Sequence, residues 1–369
     1  MRRRRLTFIL VIQAILFLGH FVVYETWTSF WRTADPPGIS ALAIVFLLLS
    51  VSFVGASLLA FRYYNVWVRA FYMAAAGWLG MLNFFFLASL ACWIVNAGVR
   101  VTRGSWESRD IAEVLFGAAA VAGVWGIVNA SWVRVKRIDL RIAELPGAWH
   151  GKVAALASDL HLGTVRSEGF ARRIVAMINE VKPDVVFLTG DFYDGTAVDA
   201  ERVARPLAEL RAQHGVYFVT GNHEEFADPR KYIDALSAAG VRVLNNECVA
   251  IDGLQIVGVP YHELATSEGY VAALQESGLD RERPSILLVH APNRLWESAE
   301  AGVSLHLCGH THQGQFFPWT RVVARIYGKF AYGFHRLNYM QAYTTCGAGT
   351  WGPPVRLGSN PEIVVMRFQ

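Results

Sequence analysis

Through the first 133 residues, charge is confined to short gaps between long apolar blocks. Residues 6–24, 36–61, 70–99 and 114–133 contain no Asp, Glu, Lys or Arg. A helix needs about 20 mostly apolar residues to cross the hydrocarbon core of a bilayer. One such block is compatible with a buried core helix, but four in succession predict an all-α transmembrane region, residues 1–137, with spans at about 6–24, 39–61, 72–96 and 112–133. The pattern then changes. Residues 138–151, with Pro146 and Gly147, read as a linker, and residues 152–369 as a separate α/β domain.

Within that domain short apolar runs alternate with amphipathic stretches. Strands are predicted at 153–157, 184–188 and 216–220, with helices at 167–181, 198–213 and 229–239 between and after them. Further on, strands dominate: 241–244, 248–251, 254–259, 285–289, 303–307, 342–346 and 362–368, with Asp252–Gly253 as a hairpin turn. Strands that alternate with helices and then crowd together predict a layered sandwich of sheets covered by helices. There is no internal repeat and no low-complexity tract.

Charge changes the picture in two ways. Residues 1–144 carry 14 Lys/Arg against 7 Asp/Glu, whereas residues 145–369 carry 20 against 23, so the net +4 belongs to the membrane region and gives no reason to expect nucleic-acid binding. With the N-terminus inside, the inner segments hold Arg2–Arg5, Arg62, Arg69, Arg134, Lys136, Arg137 and Arg141, and the outer loops Arg32, Arg100, Arg103 and Arg109. The positive-inside rule therefore predicts a cytoplasmic C-terminal domain. The basic start resembles a signal peptide, but no small-x-small cleavage site follows, which predicts a retained anchor. The four cysteines, Cys92, Cys248, Cys308 and Cys346, have no CxxC spacing, which argues against a zinc ribbon and fits a reducing compartment.

The candidate chemistry gathers where predicted strands end. Asp159 and His161 follow VAALA, Asp191 and Asp194 follow VVFLT, Asn222 and His223 follow VYFVT, His290 follows ILLV, and His310 and His312 follow LHLC. In open α/β sheets ligands bind beyond the carboxyl ends of the strands. Period-two spacing would put Asp159 with His161, and His310 with His312, on one face of an extended segment. Gly190, Gly221 and Gly309 precede these clusters and allow close backbone approach. Mixed Asp, Asn and His donors suit manganese, iron or zinc better than calcium. His20, His150, His214, His262, His306 and His335 are left to packing or solvent, and Cys308 to the core.

These clusters, DLH, GDFYD, GNHE, His290 and GHTH, resemble in order the motifs of the calcineurin-like metallophosphoesterase superfamily. The stretch YTTCGAGTWGPPVR with Pro361 and Glu362 resembles the tail of its membrane-anchored bacterial subgroup. The resemblance is close from about residue 150 onward and extends to the first 145 residues only as the idea of an anchor. It implies a four-layer αββα sandwich and two divalent metal ions, with manganese favoured. Asp159, His161, Asp191 and His312 would hold one ion. Asp191, Asn222, His290 and His310 would hold the other. It further implies that His223 approaches the phosphate, that Asp194 orients His223, and that a metal-bridging hydroxide attacks phosphorus in line.

Together these readings predict a dimetal phosphodiesterase or pyrophosphatase in a bacterial inner membrane. The tether favours a lipid-linked or nucleotide-lipid substrate such as UDP-2,3-diacylglucosamine, and membrane lipids are the expected neighbours. The alternative is a non-catalytic scaffold, as in the retromer subunit with this fold. An inverted topology would turn the site to the periplasm. Residues 316–340, aromatic residues interleaved with Arg and Lys, fit either a membrane-interface segment or a hairpin packed beside the site. The sequence sets no oligomeric state.

Overall fold

The computed structural model describes residues 2–31, 40–226 and 228–369. Arg32 and the first residue of the second expected span, residue 39, lie outside the described residues. The chain divides into two compact units, Met1–Val128 with Gly352–Val355, and Asn129–Trp351 with Arg356–Gln369.

The first unit is built from α1 (Arg2–Trp31), α2 (Ala41–Ala60), α3 (Val66–Val101) and α4 (Ser108–Ala130). All four are long and apolar enough to cross a membrane, and they make this an integral membrane protein. Their exposed side chains are the large apolar ones, Phe8, Ile15, Leu48, Ile94 and Val121 among them, while small residues such as Ala56, Ala75, Ala76 and Ala88 are buried. That inversion suits a lipid solvent, where helices pack through small residues. Buried polar groups pair within the unit. Trp78 Nε1–H donates to His20 Nε2 at 2.8 Å, His20 Nδ1 to Leu16 O at 2.7 Å, and Trp93 Nε1–H to Thr26 Oγ1 at 2.9 Å. Hydrocarbon offers no substitute for such bonds.

The second unit holds two six-stranded sheets. Its strands are β1 (Arg134–Leu140), β2 (Val153–Ala157), β3 (Val185–Thr189), β4 (Val216–Val219), β5 (Arg242–Val243), β6 (Glu247–Ile251), β7 (Leu254–Gly258), β8 (Ser285–Leu288), β9 (Leu305–Cys308), β10 (Gly333–Leu337), β11 (Met340–Thr344) and β12 (Glu362–Phe368). Its helices are α5 (Glu168–Glu180), α6 (Ala200–Ala204), α7 (Arg230–Ala238), α8 (Ser267–Glu276), α9 (Leu295–Glu300) and α10 (Trp319–Tyr327). One sheet runs β1-β12-β2-β3-β4-β5 and the other β10-β11-β9-β8-β7-β6. Four neighbouring strands in each, β2 to β5 and β7, β8, β9 and β11, are parallel.

Alternation along these strands builds three cores. Leu156, Phe187 and Val219 of the first sheet meet Ile256, Leu288 and Leu307 of the second. Ala155, Val186 and Phe218 point the other way, onto Ile174 of α5 and Leu236 of α7. Val257, Leu287 and Cys308 do the same toward Tyr270 of α8 and Leu295 of α9. The result is the expected α/β domain, layered helix, sheet, sheet, helix.

Three expectations are corrected. Arg134–Leu140, assigned to the end of the membrane region and the start of the linker, is β1, paired in parallel with β12. The helix expected over 198–213 stops at Ala204 and continues as a 3₁₀ turn, because Pro206 cannot donate to a helical ladder. The stretch 316–340 holds a helix ahead of the expected hairpin. It carries α10 and then β10, which forms a hairpin with β11.

Candidate dimetal site

Every sequence-predicted site residue lies just beyond the carboxyl end of a parallel strand: β2 for Asp159 and His161, β3 for Asp191 and Asp194, β4 for Asn222 and His223, β8 for His290, and β9 for His310 and His312. The backbone there is not the extended segment that the spacing implied. Asp159 (φ 54°), His161 (49°), Asp191 (50°), His310 (71°) and His312 (48°) all adopt left-handed conformations. Non-glycine residues there cost energy, and such strain gathers at functional sites. His310 and His312 consequently join different clusters rather than sharing a strand face.

Three sets of donor atoms converge: Asp159, His161 and His312; Asp191, His290 and His310; and His161, Asp194 and His223. His161 Nε2 lies 3.0 Å from His312 Nε2, and His290 Nε2 lies 3.1 Å from His310 Nδ1. Ring nitrogens facing each other this closely need something positive between them, a proton or a cation. Asp191 Oδ2 is 3.1 Å from His290 Nε2 and 3.8 Å from His161 Nε2, so one carboxylate reaches both clusters. Asn222 Oδ1 is buried and, among the described residues, accepts no hydrogen bond. The next residue, His223, bonds Asp191 Oδ1 through its main-chain N–H, and the two clusters with an orphaned amide oxygen on that loop make a donor set suited to two divalent cations.

Electrostatics keeps the imidazoles ready for a metal. Burial holds His161 and His312 well below the ordinary histidine range and takes His310 down to about 4. His290 is the exception. Burial disfavours its charge, but Asp191 overrides that and raises it. Burial likewise pushes Asp191 up, and the facing His290 overrides this to hold it below the usual carboxylate range. Thr189 O accepts from His290 Nδ1 at 2.8 Å, which fixes the ring and leaves Nε2 turned to the site.

The expectation for Asp194 is corrected in atomic detail. His223 Nδ1 donates to the main-chain carbonyl of Asp194 at 2.8 Å. The Asp194 carboxylate instead approaches His161 Nδ1, at 3.7 Å. Burial and the Asp191 charge push that carboxyl up to about 8. Gly221 and Gly309 are needed for space rather than for unusual torsions. A Cβ on Gly221 would lie 2.2 Å from Asp191 Oδ1, and one on Gly309 2.2 Å from Asp159 Oδ2.

The calcineurin-like phosphoesterase family model matches residues 153–314, which contain all nine site residues. A "Transmembrane protein with metallophosphoesterase domain" from Danio rerio is 32% identical over 290 residues, 73% of this chain and 64% of that one. An "Uncharacterized metallophosphoesterase" from Helicobacter pylori is 31% identical over 218 residues, 58% of each chain. This chain thus spans about three-fifths of the length of those two relatives. Another, from Aquifex aeolicus, is 31% identical over 258 residues, 68% of this chain and 97% of its own. The chain belongs to the calcineurin-like phosphoesterases.

Two residues of this phosphoesterase domain carry the site without having been assigned a role. Glu224 is fully buried, and its carboxylate accepts from Asp191 N (2.9 Å), Gly221 N (2.8 Å) and Tyr193 N (2.9 Å). It stitches the loop after β3 to the loop after β4. Arg356 is also fully buried. It donates to His312 O at 3.0 Å, to Cys346 O at 2.8 Å and to Gly349 O at 2.6 Å, and lies 3.0 Å from His312 Nδ1. Its guanidinium braces the His312 ring from behind. Exposed aromatics flank His223: Phe226 at a ring distance of 4.4 Å and Trp351 at 6.3 Å.

Proposed function

We propose that this protein is a membrane-anchored, metal-dependent phosphohydrolase cleaving phosphodiester or phosphoanhydride bonds. The observation that carries the reading is the convergence of facing imidazole nitrogens around the shared Asp191 carboxylate. Asp159, His161, Asp191 and His312 would hold one cation, and Asp191, Asn222, His290 and His310 the other. Manganese is the favoured metal, with iron and zinc compatible with the same donors. Such a pair, when bound, would neutralise phosphoryl oxygens and lower the pKa of water toward neutrality.

The chain's own residues prepare the rest. His223, with Nδ1–H committed to Asp194 O, turns Nε2 toward the site, 3.9 Å from Asp191 Oδ2. Burial lowers its basicity. A phosphate anion alongside would favour the protonated ring, and Nε2–H could then donate to a phosphoryl or leaving oxygen. Phe226 and Trp351 offer apolar surface for the remainder of a substrate. With the tether, this supports a lipid-linked or nucleotide-lipid substrate such as UDP-2,3-diacylglucosamine.

The purified full chain with Mn²⁺ should hydrolyse bis-p-nitrophenyl phosphate, and His223→Ala should lower kcat by about 10²–10⁴-fold. Equal inertness of both proteins with manganese, iron and zinc would overturn the enzymatic reading. Release of UMP from UDP-2,3-diacylglucosamine tests the lipid substrate separately. The positive-inside bias supports a bacterial inner-membrane protein with a cytoplasmic site. A fluorescent protein fused after Gln369 should therefore be bright and an alkaline phosphatase fused there silent, and the reverse pattern would reject that orientation.

A further inference from the structure

The helix α10 has no buried residue although it lies within a packed domain. Its inner side, Thr320, Val323 and Tyr327, is half-buried, and the Tyr327 ring sits 6.4 Å from the His310 ring. Its outer side is apolar. Trp319 is 52% exposed, Val322 40% and Ile326 67%. Residues three and four apart share a helical face, so these three form one stripe. Arg321 and Arg325 stand beside the stripe, exposed, and Lys329 follows the helix. The surrounding sequence is biased the same way. Residues 301–361 contain no Asp or Glu and five basic side chains, in a domain that is otherwise slightly acidic.

An exposed apolar stripe edged by arginines and led by a tryptophan has the composition of a helix lying in the interface of a bilayer. A water-facing helix would not carry that stripe, and a protein-covered one would not need a purely basic border. The same chain carries four apolar helices able to cross a membrane, so a bilayer is always within reach of this domain. Charge complementarity selects anionic lipid. Gln315, just before α10, clasps Trp351 through both its amide atoms, each at 2.9 Å, so a second exposed aromatic beside His223 is tied to the same segment. We propose that α10 is a membrane-docking helix that inserts its Trp319–Val322–Ile326 stripe into the headgroup region of an anionic bilayer and holds the mouth of the metal site against that surface.

The test uses the full chain in lipid nanodiscs, with Cys248→Ser removing the one half-buried thiol. A nitroxide on Ile326→Cys is compared with one on Glu276→Cys, an exposed position on α8. Oxygen concentrates in lipid and a nickel chelate stays in water, so their collision ratio reports depth. In nanodiscs of equal phosphatidylcholine and phosphatidylglycerol, the ratio at 326 should exceed that at 276 about threefold or more, and Arg321→Glu with Arg325→Glu should pull it most of the way back. Equal ratios at the two positions would overturn the proposal. So would dipolar coupling between the 326 labels of two chains in one disc, which would assign the stripe to a second copy of the protein.

Discussion

Asp191→Asn should lower phosphodiester turnover by about 10³-fold or more and leave fewer than two tightly held metal ions per chain. Asp191 reaches three histidines of the site. Its Oδ2 faces His290 Nε2 at 3.1 Å and His161 Nε2 at 3.8 Å, and its Oδ1 accepts the main-chain N–H of His223 at 2.9 Å. Asparagine keeps the shape and can keep the Oδ1 bond, so the loop after β3 should stay folded. What it removes is the negative charge that raises His290 and that two neighbouring cations would share. An amide oxygen is a poor bridge between two positive ions. Elemental analysis of the purified variant beside wild type, with kcat on the same samples, checks both halves. Two retained ions and undiminished turnover would remove Asp191 from the centre of the site.

Much of this fold could be read from the chain because its central strands are buried on both faces. VAALA, VVFLT and SILL are unbroken runs of apolar or small residues, as parallel strands between two layers must be. β1 escaped for the opposite reason. RVKRIDL is an edge strand, partly exposed and rich in charge, and its Arg134, Lys136 and Arg137 read as topology signals. In the folded domain Arg134 bonds Asn129 Oδ1 and Lys136 bonds Tyr332 Oη. Charges that serve a sheet edge and charges that face the inner side of a membrane look alike in sequence.

In the site, residue types were legible and backbone geometry was not. Spacing two apart implied an extended segment, whereas Asp159, His161, His310 and His312 turn through left-handed conformations that no residue pattern announces. Asp194 was singled out, but its main-chain carbonyl holds His223 while its carboxylate faces His161. Arg356 sits in a stretch of Gly, Pro and small polar residues, where an arginine reads as solvated. Only the fold reveals that five polar atoms surround it.

Glu224→Gln should cost about 2–4 kcal/mol of stability and weaken metal uptake. The glutamate is entirely buried, and burial, with Asp191 nearby, raises its carboxyl above the usual range. Three main-chain N–H groups oppose that by bonding the ionised form, two to Oε2 and one to Oε1. Glutamine has one acceptor oxygen. If it takes the pair from Asp191 and Gly221, its NH₂ meets the N–H of Tyr193, donor against donor, and a buried main-chain donor is left unpaired. If it turns round, two donors are stranded. Either way the tie between the loops after β3 and β4 loosens, and these loops carry Asp191, Asn222 and His223. Glu225→Gln is the matched control. That side chain is partly exposed and bonds only Thr220 and His262 among the described residues, so the substitution should cost less than about 1 kcal/mol. Thermal denaturation of the metal-free proteins in one detergent, followed by manganese titration, compares them. Equal shifts for both variants would mean that Glu224 does not hold these loops together. A large shift for Glu224→Gln alone, with weakened manganese binding, would tie the stability of this corner of the sandwich to the assembly of the metal site.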